Sequence, residues 1–81
     1  MAKSSPIYSN HKSLVLLGTT IRKLRLEQGF SQESLALAAD LDRSYVGGIE
    51  RGEHNLTIMN LLKIAKTLNV QPSELLIKIK V

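Results

Sequence analysis

Apolar residues recur at helical spacing along nearly the whole chain, broken by short polar stretches. Leu14, Leu17, Ile21 and Leu24 follow one another at steps of three, four and three, which predicts a helix over residues 13–28. Arg22, Lys23 and Arg25 lie beside or opposite that stripe. Gly29 suits its end, because it takes a positive φ without steric cost. Ser31 has the chemistry of an N-cap, and the helix it opens turns Leu35, Ala36 and Ala39 inward. The two alanines are small enough for close crossing of another helix. Asp40, Leu41 and Asp42 make a tight turn. Asp42 is then the expected N-cap of a helix from Arg43 to about Arg51 that buries Val46 and Ile49 and stops at Gly52.

The polar loop of Glu53, His54 and Asn55 leads to Thr57, the expected cap of a fourth helix over residues 58–68. Leu61, Leu62, Ile64, Ala65 and Leu68 give that helix a broad apolar face. Pro72 suits the first position of a fifth helix, which carries Leu75, Leu76, Ile77 and Ile79. Residues 77–81 also alternate between apolar and basic, so helix and strand both stay open there. Residues 1–12, with Ser4, Ser5, Pro6, Ser9 and Asn10, are expected to form a tail, and residues 13–81 the domain.

Length and composition narrow the function. Eighty-one residues make one small domain with a modest core. Hydrophobic residues are 43% of the chain, which argues against general disorder. There is no cysteine, which rules out disulfides and thiolate zinc sites. His11 and His54 are too few and too far apart in sequence to suggest a metal site. No apolar run approaches the roughly 20 residues that cross a bilayer, and no apolar stretch follows Lys3, so a cytoplasmic protein is expected. The net charge of +4 suits a polyanionic partner.

Two short helices joined by a tight turn, the second with an exposed polar face, are the means of placing side chains in the major groove of DNA. Arg43 and Ser44 begin that second helix, where side chains reach base edges. An arginine there pairs bidentately with guanine, which contributes about 1–3 kcal/mol of discrimination. Tyr45 either donates its hydroxyl to a phosphate or packs into the core. Gly47 and Gly48 each cost about 1 kcal/mol inside a helix relative to alanine. Either the helix backbone lies very close to DNA or these positions make no side-chain contact, the second being favoured. Ser31, Gln32, Tyr45, Arg51 and Asn55 are the candidates for phosphate contact, Gln32 because it stands at a helix N-terminus. His54 is a candidate base contact when protonated, with a passive loop residue as the alternative. No nucleophile–base pair, paired carboxylates or glycine-rich phosphate loop is present, so no enzyme and no cofactor are expected.

Residues from about 17 to 76 resemble the Cro/C1-type (XRE) helix-turn-helix domains. The resemblance is carried by Ile21-Arg22-Lys23-Leu24-Arg25, Gly29-Phe30-Ser31-Gln32-Glu33, Leu35-Ala36, Ile49-Glu50-Arg51-Gly52, Leu62-Lys63-Ile64-Ala65-Lys66-Thr67-Leu68 and Pro72-Ser73-Glu74-Leu75-Leu76. Within that family, Leu41-Asp42-Arg43-Ser44-Tyr45-Val46 and Asn55-Leu56-Thr57 look most like the controller proteins of restriction–modification systems. The resemblance implies an all-α, five-helix fold and a transcription regulator that binds double-stranded DNA as a homodimer on a palindromic operator, with no small-molecule ligand. An antitoxin or a phage-type repressor is the alternative. It also implies that Gln32 anchors the DNA backbone and that Arg25 and Glu50 form a partly buried salt bridge. Leu76, Ile77 and Ile79, with Leu75 and Val81, supply more apolar surface than one small core buries, which points to a dimer interface.

Overall fold

Five helices and no strand make up the described residues, 7–79, of a computed structural model. They are α1 (Lys12–Glu27), α2 (Gln32–Ala38), α3 (Arg43–Glu50), α4 (Ile58–Thr67) and α5 (Pro72–Leu76). Each begins where local chemistry allows. Ser31 accepts from the Ser34 N–H while the Ser34 hydroxyl accepts from the Ser31 N–H, a reciprocal box at the start of α2. Thr57 accepts from the Asn60 N–H at 3.1 Å, and Pro72 occupies the first turn of α5. The first helix starts one residue before Ser13, because the His11 Nδ1 accepts from the Ser13 N–H and caps it.

Four helices stop in one way. A residue with positive φ follows each of them: Gly29, Asp40, Gly52 and Asn69. The next N–H reaches back to satisfy a carbonyl of the last turn, from Phe30 to Arg25, Leu41 to Ala36, Glu53 to Gly48 and Val70 to Ala65. Gly52 has a second reason to lack a side chain. A Cβ there would lie 2.7 Å from the Val15 Cγ2, and its carbonyl accepts from the Asn10 N–H at 2.7 Å. The segment before α1 is thereby tied to the end of α3.

Ile21, Leu35, Val46, Ile64, Leu68 and Leu75 are fully buried and come from all five helices. Burying side chains of this size contributes about 1.5–3 kcal/mol each, which must offset the ordering of the chain. The third helix packs on both α1 and α2. Its approach to α1 is set by Gly18, where a Cβ would come within 2.7 Å of the Glu50 carbonyl oxygen and also collide with that of Ile49.

Three expectations change. Leu62 does not join the core: α4 buries Leu61, Ile64, Ala65 and Leu68 and leaves Ile58, Met59 and Leu62 in solvent. The fifth helix ends at Leu76, and residues 77 and 78 form a turn in place of further helix or strand. Through that turn the Ile79 N–H bonds the Leu76 carbonyl, and the Ile79 side chain packs half-buried on its own core. Ile79 therefore offers little to a partner, whereas Leu76 and Ile77 remain exposed, Ile77 at 76%. Lys80, Val81 and residues 1–6 of the expected tail lie outside the described residues.

Candidate nucleic-acid interface

The turn of residues 39–42 delivers α3 with its first residue in solvent. Arg43 is exposed and stands at the rim of an open cleft of about 620 Å³ lined also by Ser31, Gln32, Glu33, Ser34 and Leu37. The cleft thus joins the N-terminal half of α2 to the N-terminus of α3, the geometry by which a recognition helix is presented. Leu37 is 82% exposed there, an apolar side chain beside the arginine. It stands two positions from the buried Leu35, and a residue two steps along a helix faces away from its neighbour. That spacing was the signal for Leu37 in the sequence.

Asp42 takes the extended N-cap backbone conformation but makes no side-chain capping bond. Its carboxylate instead accepts from the Ser44 hydroxyl. That bond, ahead of its other influences, holds the Asp42 carboxyl below its ordinary value. The hydroxyl of Ser44 is therefore occupied within the chain, although the residue stands next to Arg43.

A buried polar network joins the last residue of α3 to α1 and α2. Arg25 donates from Nε to the Glu50 Oε2 at 2.6 Å and from Nη2 to the Glu50 Oε1 at 3.1 Å, and a third bond runs from Nη1 to the Phe30 carbonyl at 2.9 Å. Glu50 also accepts from the Gln32 Nε2 at 3.1 Å. One carboxylate therefore ties α1, α2 and α3 together. Gln32 is half-buried, and its amide orientation is fixed by Glu50. The amide nitrogen carries two hydrogens, so one donor remains beyond this bond. Ser31 uses its hydroxyl in the α2 cap.

Within α3, Gly47 and Gly48 lie under side chains of the folded chain. Neither is an empty position. A Cβ on Gly47 would stand 3.2 Å from the Arg51 Nη1 and 3.4 Å from the Gln32 Oε1. A Cβ on Gly48 would strike the His54 ring, 2.6 Å from Cδ2. Both are covered by side chains of their own chain. His54 is only 7% exposed and its ring lies against that of Tyr45, with centroids 4.8 Å apart. A base-reading His54 does not fit this placement, because the imidazole is packed inside the chain. Tyr45 is half-buried, and its hydroxyl accepts from the Asn60 Nδ2 at 3.0 Å, so packing accounts for its ring.

Arg51 closes α3 and is exposed. Glu53 holds it with bonds of 2.8 and 3.2 Å and raises its pKa above the ordinary value. Asn55 is exposed and lines a small cleft of about 200 Å³ with Tyr8, His11, Ser13 and Leu14. The expected phosphate candidates therefore separate: Ser31 and Gln32 at the α2 end, Tyr45 in the first turn of α3, and Arg51 and Asn55 at the α3 exit. No group of three metal-ligating side chains occurs among the described residues.

Comparison with known proteins decides the family. The family model described as helix-turn-helix matches residues 21–75. The chain belongs to the helix-turn-helix family, of the XRE type. This helix-turn-helix chain is 46% identical to the control protein C.BamHI of Bacillus amyloliquefaciens over 63 residues, 76% of the chain and 78% of that protein. It is 44% identical to the control protein C.MunI of a Mycoplasma species, over 75% of the chain and 84% of that protein. The crystal structure of the restriction–modification controller protein C.AhdI from Aeromonas hydrophila matches with a TM-score of 0.79 and 49% identity, covering 80% of this chain and 98% of that one. The helix-turn-helix protein is thus a DNA-binding transcription regulator and not an enzyme. Among the described residues, no helix is long and apolar enough to cross a membrane.

Proposed function

We propose that the protein is a cytoplasmic controller of restriction–modification genes that binds a palindromic operator in double-stranded DNA as a homodimer. The observation that carries this reading is the exposed Arg43 at the start of α3, beside the open cleft shared with α2. In this reading Arg43 pairs with guanine in the major groove. Ser44 assists once DNA draws its hydroxyl from Asp42. Gln32, Asn55 and Arg51 meet phosphates, with Ser31 setting the N-terminus of α2. Tyr45 stacks inside, from the first turn of α3 against His54 of the loop that follows the helix. The control-protein names of its relatives favour the restriction–modification role.

The dimer is supported by apolar surface left on α4 and α5, which pack together: Ile58, Met59 and Leu62 on one, Leu76 and beyond it Ile77 on the other. Exposed groups of this kind mark an interface. Two-fold pairing would set two recognition helices about 34 Å apart, one turn of DNA. Residues 13–81 would then supply both DNA binding and pairing, with no small-molecule ligand needed.

Selection of bound duplexes from a random pool tests this. An inverted repeat whose half-sites lie one turn apart, or a multiple of it, is expected. Enrichment of no motif, or of a single unrepeated one, would contradict it.

A further inference from the structure

The exit of α3 contains a contact that the reading above leaves unused. His54 belongs to the loop after α3, yet its ring is buried. One side of the ring lies against Tyr45, in the first turn of α3. Another side fills the space over Gly48, where no Cβ stands. The tyrosine is held in turn at its far end by Asn60 of α4. The loop itself begins with the Glu53 N–H bonded to the Gly48 carbonyl at 2.9 Å. Loop and recognition helix therefore meet at the imidazole, and α4 is joined to them through Tyr45.

We propose that His54 is a positioning residue for DNA binding: its ring, seated between Tyr45 and the bare backbone of Gly48, holds the 53–57 loop against the recognition helix. Gly48 is then required by His54 and not by an approaching DNA backbone. The two residues form a matched pair, in which the side chain absent from one is the space taken by the other. Asn55, the next residue, is exposed and is carried by the same loop. Loss of the ring therefore loosens a backbone-contacting loop without removing a base contact. The proposal rests on α3 being the recognition helix, but the packing that it requires can be tested without DNA.

The experiment is a cycle of four full-length proteins: wild type, Gly48→Ala, His54→Ala and the double variant. Melting temperature and binding to operator and non-operator duplexes are measured for each. With His54 present, Gly48→Ala is expected to lower the melting temperature, because the new methyl meets the ring. In the His54→Ala background the same substitution is expected to raise it, since alanine is the better helix former and the space is free. Such a reversal of sign shows the matched pair whether or not DNA binds. On DNA, His54→Ala is expected to weaken operator and non-operator binding alike, by about tenfold, with the order of preferred bases unchanged, as loss of backbone positioning does. Equal effects of Gly48→Ala in both backgrounds would overturn the matched pair. Loss of preference at one base position in His54→Ala would overturn the positioning role and make His54 a reader. Intact packing with no binding of any duplex by the wild type would instead count against the DNA-binding reading itself.

Discussion

Arg25 and Glu50 stand 25 positions apart in the chain and meet through two hydrogen bonds in the buried seam between α1 and α3. The pair is not an isolated contact. The Phe30 carbonyl accepts a further bond from Arg25, and the Gln32 amide donates a further one to Glu50. A buried ion pair of this kind adds little over well-packed apolar residues, but breaking it strands a charge. Glu50→Ala is expected to cost about 3–5 kcal/mol, a large part of the stability of so small a domain. Urea denaturation measures it. Joint replacement by Arg25→Met and Glu50→Leu is expected to cost much less than Glu50→Ala alone, and an equal loss would contradict this account of the pair.

Gly18 gives a second stability prediction with opposed effects. Alanine at a helix interior gains about 1 kcal/mol over glycine. Here the added methyl meets backbone carbonyls of Ile49 and Glu50, which cannot turn aside as a side chain does. Overpacking of a tight contact costs about 1–3 kcal/mol, so Gly18→Ala is expected to destabilise on balance. A higher denaturation midpoint for the variant would show that α1 and α3 have slack where they cross.

Much of this architecture was legible in the sequence, because local chemistry and packing agree. The apolar stripe of α1, the Ser31 and Thr57 caps and Pro72 located the helices to within a few residues. The salt bridge came from resemblance, since a spacing of 25 residues carries no local signal. What surrounds the glycines of α3 is not legible in the sequence: their neighbours are Gln32, Arg51 and His54, which only the folded chain brings there. For His54 the sequence leaves open a DNA contact in the protonated form and a passive place in the loop, and nothing local shows that the loop folds back on Gly48. Ile79 looked exposed for the same reason, since its turn is set by tertiary packing.

One bond leads the acid behaviour of the α3 start. The Ser44 hydroxyl stabilises the ionised form of Asp42, so the folded pKa lies below that of the unfolded chain. The resulting stabilisation is present above the unfolded value and is lost as the pH falls through the folded one. Ser44→Ala is expected to move the Asp42 titration upward, toward an ordinary aspartate. Carboxyl carbon shifts followed by NMR through the acid range measure it. An unchanged Asp42 titration would show that the Ser44 contact does not form in solution.

Pairing through α4 and α5 is expected to fail when their exposed apolar surface is made charged. Met59→Asp and Ile77→Asp should each convert a dimer to monomer without unfolding it, since both side chains are already in solvent in the single chain. Sedimentation at tens of micromolar resolves the two forms. A wild type that sediments as a monomer, or variants that remain dimeric, would move the interface elsewhere.

On the function proposed above, Arg43 reads a base while Gln32 and Asn55 hold the backbone. Competition binding against operators with each base pair replaced in turn, for wild type and Arg43→Ala, tests it most directly. A bidentate arginine predicts weaker operator binding by the variant, and loss of discrimination of about 1–3 kcal/mol at one guanine in each half-site. Gln32→Ala serves as the contrast: all duplexes should weaken together, with little change of salt dependence, because a neutral side chain releases no counterion. A wild-type base profile retained by Arg43→Ala would contradict the claim and leave Arg43 as a phosphate contact only.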